Sequence, residues 1–174
     1  MKRVAIIGSG GAGKSTLARR LGEITGLPVV HLDREFWRPG WTETPKPEWR
    51  SKVASLVQRD EWIIDGNFGG TMEIRLAAAD TVLFLNFPRL LCTYRALKRT
   101  VTYRKRTRPD MAPGCDEKFD LDFLSWVWHF PAQTAARIEA RLMQLRPDVE
   151  VLRLRSPREV EAFLRDVERR TQRS

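Results

Sequence analysis

A glycine-rich segment near the start of the chain has the spacing of a phosphate-binding loop. Residues 8–15 read Gly-Ser-Gly-Gly-Ala-Gly-Lys-Ser, which fits the pattern Gly, any four residues, Gly, Lys and Ser or Thr without a mismatch. Glycines let backbone N–H groups turn inward around phosphate oxygens, and the helix that starts there adds its own free N–H groups. Lys14 would hold the β- and γ-phosphates, and the Ser15 hydroxyl would bind magnesium. The pattern therefore predicts that a nucleoside triphosphate with magnesium is bound by Gly8, Ser9, Gly10, Gly11, Ala12, Gly13, Lys14, Ser15 and Thr16. We take the nucleotide to be ATP, with GTP as the alternative.

Two aspartates follow apolar runs that are typical of buried strands. Asp65 comes after three apolar residues, and an aspartate at such a position orients hydrated magnesium in phosphate-loop enzymes. The alternative is that Asp65 forms a turn with Gly66. Asp33 ends another apolar run and would face the same crevice, where its carboxylate can accept the proton of an acceptor hydroxyl. The alternative for Asp33 is a cap on the segment that follows.

Tryptophans cluster in the segment after Asp33. Trp37, Trp41 and Trp49 either form a stacking wall for a base or another ring, or pack the segment onto the core. We take Trp37, together with Asp33, as a candidate for acceptor binding. His31 falls inside a predicted strand and is expected to be structural.

A basic run without acidic residues lies between Asp80 and Asp110. Phosphoryl transfer builds negative charge that arginines stabilise, and an irregular segment at this place can act as a lid that excludes water. A nucleic-acid surface is the alternative, and a single arginine in the run can also be an ordinary solvated charge. The candidate catalytic residues are Lys14, Asp33 and four of the six arginines of the run, namely Arg95, Arg99, Arg104 and Arg108.

The elements that would position these residues alternate between strands and helices. Strands are predicted at 2–7, 28–32, 61–65, 81–85 and 149–154. Helices are predicted at 14–25, 46–59, 71–79, 88–104, 119–145 with a kink or break at Pro131, and from Ser156 onward, while 34–47 and 107–118 are predicted loops. This alternation predicts an α/β fold with a mainly parallel sheet covered on both faces and ligands at the carboxyl ends of its strands.

Length and composition limit the class of protein. The chain has 174 residues and a net charge of +9, which suits one domain with anionic ligands or partners. We expect residues 34–60 to bind the acceptor and 100–120 to form the lid. No apolar run approaches the roughly 20 residues that a membrane span needs, and the first residues do not resemble a signal peptide. A cytoplasmic location and no membrane partner are expected.

Four segments together resemble a known family. They are 6–16, 31–41, 62–67 and 107–111. The first contains the phosphate loop, and the second contains His-Leu-Asp and Trp-Arg-Pro-Gly-Trp. The third is Trp-Ile-Ile-Asp-Gly-Asn and the fourth is Thr-Arg-Pro-Asp-Met. The chain is similar over nearly its whole length to the bacterial adenylate-kinase-like phosphate-loop proteins labelled DNA topology modulation proteins. Adenylate kinases themselves carry Gly-Phe-Pro-Arg after the acid, where this chain has Gly-Asn-Phe-Gly at 66–69.

The resemblance implies a fold and several residue functions. The fold would be the three-layer P-loop NTPase fold in its nucleoside-monophosphate-kinase-like form, with a five-stranded parallel sheet in the order 2-3-1-4-5 and a lid. Asp65 would orient magnesium, Arg75 would meet an acceptor phosphate, and Arg95 and Arg99 would border the nucleotide.

Three functions are compatible with these residues. The first is transfer of a phosphoryl group from ATP to a small acceptor, a nucleotide or a nucleoside, by a P-loop kinase. The others are a nucleic-acid-associated ATPase connected with DNA topology modulation, and a nucleotide-binding regulator. We expect the kinase, because no helix-turn-helix or zinc-finger pattern is present and a lid accounts for the basic run. The oligomeric state is left open.

Overall fold

A parallel sheet of 5 strands forms the centre of the protein. The computed structural model describes residues 1–104 and 106–172. Its strands are β1 (Arg3–Gly8), β2 (Val29–His31), β3 (Trp37–Arg38), β4 (Thr42–Glu43), β5 (Trp62–Asp65), β6 (Thr81–Leu85) and β7 (Glu150–Leu154). The sheet has the order β2-β5-β1-β6-β7, while β3 and β4 pair as a separate antiparallel hairpin. Counted among the strands of the large sheet alone, this is the predicted order 2-3-1-4-5, which is therefore confirmed.

Helices cover both faces of the sheet. They are α1 (Lys14–Thr25), α2 (Leu32–Phe36), α3 (Lys46–Leu56), α4 (Met72–Ala78), α5 (Arg89–Thr102), α6 (Leu121–Phe130), α7 (Ala136–Leu142) and α8 (Pro157–Thr171). Ala5 and Ile7 of β1 pack in one core with α3, α4 and α7, whereas Val4 and Ile6 pack in a second core with α1 and α8. Burial on both faces explains why the strands read as continuous apolar runs. Within the described ranges, no helix has the length and apolar character to cross a membrane.

The segment predicted as the loop 34–47 contains regular structure, and that prediction is wrong. Helix α2 begins directly after β2 and ends at Phe36, and the hairpin β3–β4 follows it. The proline and glycine that suggested a loop form the tip of the hairpin, where Gly40 has φ 76° and Trp41 has φ 61°. The backbone N–H of Thr44 donates to the Phe36 carbonyl at 3.1 Å and closes the hairpin onto α2.

Pro131 changes the helix around it without ending it. A π-helical turn at Pro131–Ala135 connects α6 to α7. Proline cannot donate to the preceding turn, and a π-turn is one of the ways in which a helix absorbs such a missing hydrogen bond. The predicted kink or break is thus a local change of helical pitch. It keeps α6 packed against the phosphate loop.

The phosphate loop is held closely by its neighbours. A Cβ added at Gly8, which has φ 146°, would lie 2.3 Å from the Leu85 carbonyl oxygen. A Cβ added at Gly10 would lie 2.6 Å from Cζ of Phe123 and 2.7 Å from Cγ2 of Val127, both on α6. Glycine is therefore required in this loop by protein packing as well as by phosphate binding.

We expect Gly10→Ala to destabilise the protein, because the added methyl group forces α6 away from the loop. Overpacking of this kind costs about 1–3 kcal/mol, which lowers the Tm by roughly 3–10 °C at this size. Gly69→Ala is the matched control, since a Cβ there meets nothing within 4 Å. Thermal unfolding of both variants without ligand measures the difference, and equal Tm values would contradict the packing described here.

Candidate active site

A cavity of about 1220 Å³ opens at the carboxyl ends of β1, β2 and β5. One half is lined by residues 10–16 of the phosphate loop and the start of α1, with Arg95 and Arg99 of α5. The other half is lined by His31, Asp33, Trp37, Trp41 and Asp110. The structure thus brings most of the predicted nucleotide-binding residues to one surface. Gly8 and Ser9 are the exceptions, and they lie behind the wall of the cavity.

Lys14 lies folded onto the phosphate loop. Its Nζ donates hydrogen bonds to the carbonyl oxygens of Gly8 at 3.1 Å and Ser9 at 3.0 Å. Burial lowers the pKa of Lys14, and the negative charges of Asp33 and Asp65 oppose that change by raising it. An ammonium group held this way has given up much of its water, so an incoming phosphate would meet a poorly hydrated positive charge.

Asp65 connects the phosphate loop to β2. Its carboxylate, 4% exposed, accepts a hydrogen bond from Ser15 Oγ at 2.8 Å on Oδ2. On Oδ1 it accepts one from His31 Nδ1 at 2.6 Å. This hydrogen bond raises the pKa of His31, although burial acts in the opposite direction. His31, which was expected to be structural, positions the predicted metal-orienting carboxylate through this hydrogen bond, and its side chain also lines the cavity.

The pair Ser15 and Asp65 fits a magnesium ion. Magnesium prefers oxygen ligands, commonly one or two protein groups with water and phosphate oxygens completing its shell. Here a hydroxyl and a buried carboxylate lie within hydrogen-bond distance beside the phosphate-loop lysine. The donor set therefore agrees with the metal that the sequence predicts, with Ser15 and Asp65 as its protein partners.

Asn67 is a site residue that the sequence did not single out. Its side-chain Oδ1 accepts a hydrogen bond from the Gly8 N–H at 2.9 Å, and its Nδ2 donates to the Gly8 carbonyl at 2.7 Å. The amide thus fixes the peptide at which the phosphate loop begins. The sequence feature that could have identified Asn67 is its position two residues after Asp65, because parallel strands bring their carboxyl ends together at the ligand site.

Asp33 presents a partly buried carboxylate to the cavity. In residues 1–104 and 106–172, no side chain forms an ion pair or hydrogen bond with it. Burial raises the pKa of Asp33, the charge of Lys14 lowers it, and the nearby Asp65 raises it further. A carboxylate with a raised pKa and free oxygens is suited to accept a proton from a bound hydroxyl.

Two of the candidate arginines are held together by one buried glutamate. Glu117 lies 3.1 Å from Arg99 Nε and 2.9 Å from Arg108 Nε. Burial and the neighbouring Arg108 lower the pKa of Arg99, and Glu117 opposes this change. Arg95 also lines the cavity, with its guanidinium 5.9 Å from the centre of the Phe87 ring. Arg104 is exposed and lies outside the cavity wall, so the structure does not bring it to the site.

Arg75 is not placed to meet an acceptor phosphate, contrary to what the resemblance implied. Its side chain is 0% exposed and lies behind the cavity wall. Nη1 donates to the Gly66 carbonyl at 2.7 Å, and Nη2 donates to the Asn67 carbonyl. Burial lowers the pKa of Arg75 to about 10. Its guanidinium therefore supports the turn after β5 from within the core.

The hairpin β3–β4 is attached to the segment 111–118. Trp41 Nε1 donates to the Asp116 carbonyl at 3.0 Å, and the Gly40 N–H donates to the Gly114 carbonyl at 3.0 Å. Trp37 and Trp41 also pack on a small buried cluster formed by Met111, Ala112 and Cys115. In contrast, Trp49 lies in the core against Phe36 and Phe68. The two regions predicted as acceptor segment and lid thus meet above the cavity.

Comparison with known proteins matches this fold to P-loop kinases. No protein-family model and no curated protein matches the sequence. A solved shikimate kinase from Bacteroides thetaiotaomicron is 16% identical with a TM-score of 0.55, over 98% of both chains. A gluconokinase from Sinorhizobium meliloti 1021 is 13% identical with a TM-score of 0.50, over 99% of this chain and 92% of that one. The YorR protein of Bacillus subtilis, in complex with phosphorylated GDP, is 12% identical with a TM-score of 0.56, over 97% and 95%.

At these identities the likeness shows the fold alone. The chain has the α/β fold of P-loop kinases, as predicted. The narrower assignments, to the DNA topology modulation proteins and to the nucleoside-monophosphate-kinase-like subtype, stay predictions.

Arg75→Met tests whether this arginine is part of the core. We expect a loss of about 2–4 kcal/mol in the free energy of unfolding without any ligand, because two backbone carbonyls lose a charged donor. Arg50→Met is the matched control, since Arg50 is an exposed arginine that pairs with Glu73 on α4 at 2.9 Å. An exposed pair of this kind contributes about 0–1 kcal/mol. Denaturant unfolding measures both, and equal losses would remove the structural function assigned to Arg75.

Proposed function

We propose that this protein transfers the γ-phosphoryl group of ATP to a hydroxyl group of a small acceptor. One observation carries the proposal: the unpaired carboxylate of Asp33 and the phosphate-loop ammonium of Lys14 line the same cavity and act on each other electrostatically. A phosphate held by Lys14 and a hydroxyl held by Asp33 would therefore be neighbours. Bringing the two reactants together in this way is a major part of catalysis in phosphoryl transfer.

On the donor side, the backbone N–H groups of residues 10–15 and the ammonium of Lys14 would hold the phosphates of ATP. Ser15 and Asp65 would hold magnesium, directly or through water, and the ion would supply positive charge beside the phosphates. His31 and Asn67 would keep these groups in place, the first through Asp65 and the second through Gly8.

On the acceptor side, Asp33 would accept a hydrogen bond from the attacking hydroxyl and take up its proton as the new bond from the hydroxyl oxygen to the γ-phosphorus forms and the bond to the β,γ-bridging oxygen breaks, with ADP as the leaving group. The carboxylate must be ionised to do so. Burial raises the pKa of Asp33. As the pH falls, the carboxylate is therefore protonated, and its function as proton acceptor is lost, at a higher pH than for an ordinary exposed aspartate.

Arginines would stabilise the charge that spreads over the transferred group. Arg95, Arg99 and Arg108 line the cavity, and the carboxylate of Glu117 holds the last two in a fixed position. Their position inside a cavity supports a small ligand over a nucleic-acid surface, where arginines would point outward along a groove. The acceptor proposed from the sequence is a nucleotide or a nucleoside.

Lys14→Ala is expected to lower the turnover of Mg-ATP by about 10²–10³-fold, which is the usual effect of removing one donor aimed at the reacting group. Lys98→Ala is the control, because Lys98 is an exposed lysine of α5 outside the cavity. Calorimetric titration with Mg-ATP, followed by acceptor-dependent ADP release, measures both steps. Unchanged binding and turnover in Lys14→Ala would contradict the proposal.

Asp33→Asn is expected to lower kcat by about 10²–10⁴-fold by removing the proton acceptor. In the parent protein, kcat/KM should fall as pH drops through the raised pKa of Asp33, and the residual activity of Asp33→Asn should lack this dependence.

The same variant should be more stable than the parent above the folded pKa, because the ionised carboxylate is costly to bury. Below the unfolded pKa both carboxyls are neutral and the stability difference should vanish.

The pH profile of kcat/KM and Tm values at acidic and neutral pH test these outcomes separately. A variant that is less stable than the parent at neutral pH would show that the Asp33 carboxylate is not isolated as described.

A further inference from the structure

We propose that the acceptor half of the cavity takes a neutral, hydroxyl-rich molecule and disfavours one that carries a phosphate group. This inference rests on the proposed function and narrows it. It follows from the charges and surfaces that line this half, namely those of His31, Asp33, Trp37, Trp41 and Asp110.

Carboxylates dominate the interior of the acceptor half. Asp33 and Asp110 line the same half and are close enough for the charge of Asp110 to raise the pKa of Asp33. Ionised carboxylates accept hydrogen bonds from hydroxyl groups but have no hydrogen to donate to a phosphate. A phosphate in this half would also meet the negative charge of Asp33 and that of Asp110, the second partly offset by Arg108.

The buried cations near this half already have partners. Arg108 pairs with Asp110 at 3.2 Å and with Glu117 at 2.9 Å. Arg75, which the family resemblance assigned to an acceptor phosphate, donates to backbone carbonyls behind the wall. Lys14 faces the phosphate loop. A phosphorylated acceptor would therefore have to displace a carboxylate from Arg108, or a backbone carbonyl from Lys14 or Arg75, in order to gain one of these cations.

Among the residues that the structure describes, the remaining lysines and arginines of this half lie at its solvent edge. Arg34 and Lys118 line the cavity, but both side chains are exposed. The ammonium group of Lys118 lies 5.3 Å from the centre of the Trp41 ring. Exposed charges are screened by water and salt, so they attract an anion weakly compared with a buried guanidinium.

An aromatic wall stands beside the carboxylates. The rings of Trp37 and Trp41 meet edge to face with centres 5.3 Å apart. The indole N–H of Trp41 is already donated to the Asp116 carbonyl, so this side chain offers its apolar ring to the cavity. Apolar rings beside hydroxyl-accepting carboxylates suit a ring-shaped molecule with apolar faces and a hydroxylated edge. Nucleosides, neutral sugars and cyclitols share this chemistry.

A matched acceptor panel tests the inference. Nucleosides, neutral hexoses and cyclitols are each compared with their monophosphates, with product measured by mass spectrometry in the presence of Mg-ATP. We expect kcat/KM to be at least about 100-fold higher for the neutral member of the accepted pair, as placing like charges together is strongly unfavourable. Comparing the nucleosides with the sugars and cyclitols shows which of these classes the protein accepts. Preferential turnover of the phosphorylated members would overturn the inference while leaving the kinase function standing.

Asp110→Asn tests whether the negative charge of Asp110 favours neutral acceptors over phosphorylated ones. For a neutral acceptor, KM should rise, because a hydroxyl loses a charged hydrogen-bond acceptor. For a phosphorylated acceptor, KM should fall, because a negative charge is removed and Arg108 keeps Glu117 as its ion-pair partner but loses Asp110. Asp148→Asn, at an exposed aspartate, makes the same charge change elsewhere and should alter neither value. A lower KM for phosphorylated acceptors than for neutral ones in the parent protein would again overturn the inference.

Tryptophan fluorescence measures acceptor binding without turnover. Neutral acceptors at millimolar concentration should change the emission in a saturable way, and Trp37→Phe should reduce this response. A saturable response to a neutral acceptor with no phosphorylated product would support the acceptor class and overturn the proposed function. If no neutral compound is bound or phosphorylated, the inference is overturned.

Discussion

A buried carboxylate must have partners, and Asp65 obtains them from two other elements of the fold. Parallel pairing sets His31 beside Asp65 on neighbouring strands, and it sets Ile6 of β1 on the other side. The chain leaves β1 two residues later as the phosphate loop, so Ser15 at the start of α1 returns to the same carboxylate. Strand register, helix start and metal-orienting group are thus fixed by one set of hydrogen bonds.

The sequence predicted the features that depend on local spacing. The phosphate loop and the bounds 14–25 of α1 agree with the structure, because apolar periodicity and glycine spacing determine them over a few residues. The strand order also agrees, but it was implied by the family resemblance and not by local spacing. The hairpin β3–β4 was missed, since its two-residue strands are held by contacts with Gly114 and Asp116, which are distant in sequence.

The side chains that were misjudged depend on direction, which spacing does not specify. Arg75 lies on the expected helix, but its side chain points into the core and donates to the turn after β5. His31 reads as an ordinary strand residue until the register of β2 and β5 is known. The basic run was recognised as a whole, yet only tertiary structure separates Arg99 and Arg108, which Glu117 holds inside the cavity, from the exposed Arg104.

The attachment of the hairpin to segment 111–118 has a mechanical consequence. Separating the two would break the bonds of Gly40 and Trp41 to that segment and expose Met111 and Ala112 to water. This cost opposes independent movement, so we expect the hairpin and segment 111–118 to move as one unit beside the acceptor half of the cavity. Any widening of the acceptor half at this edge would then require both pieces to shift together.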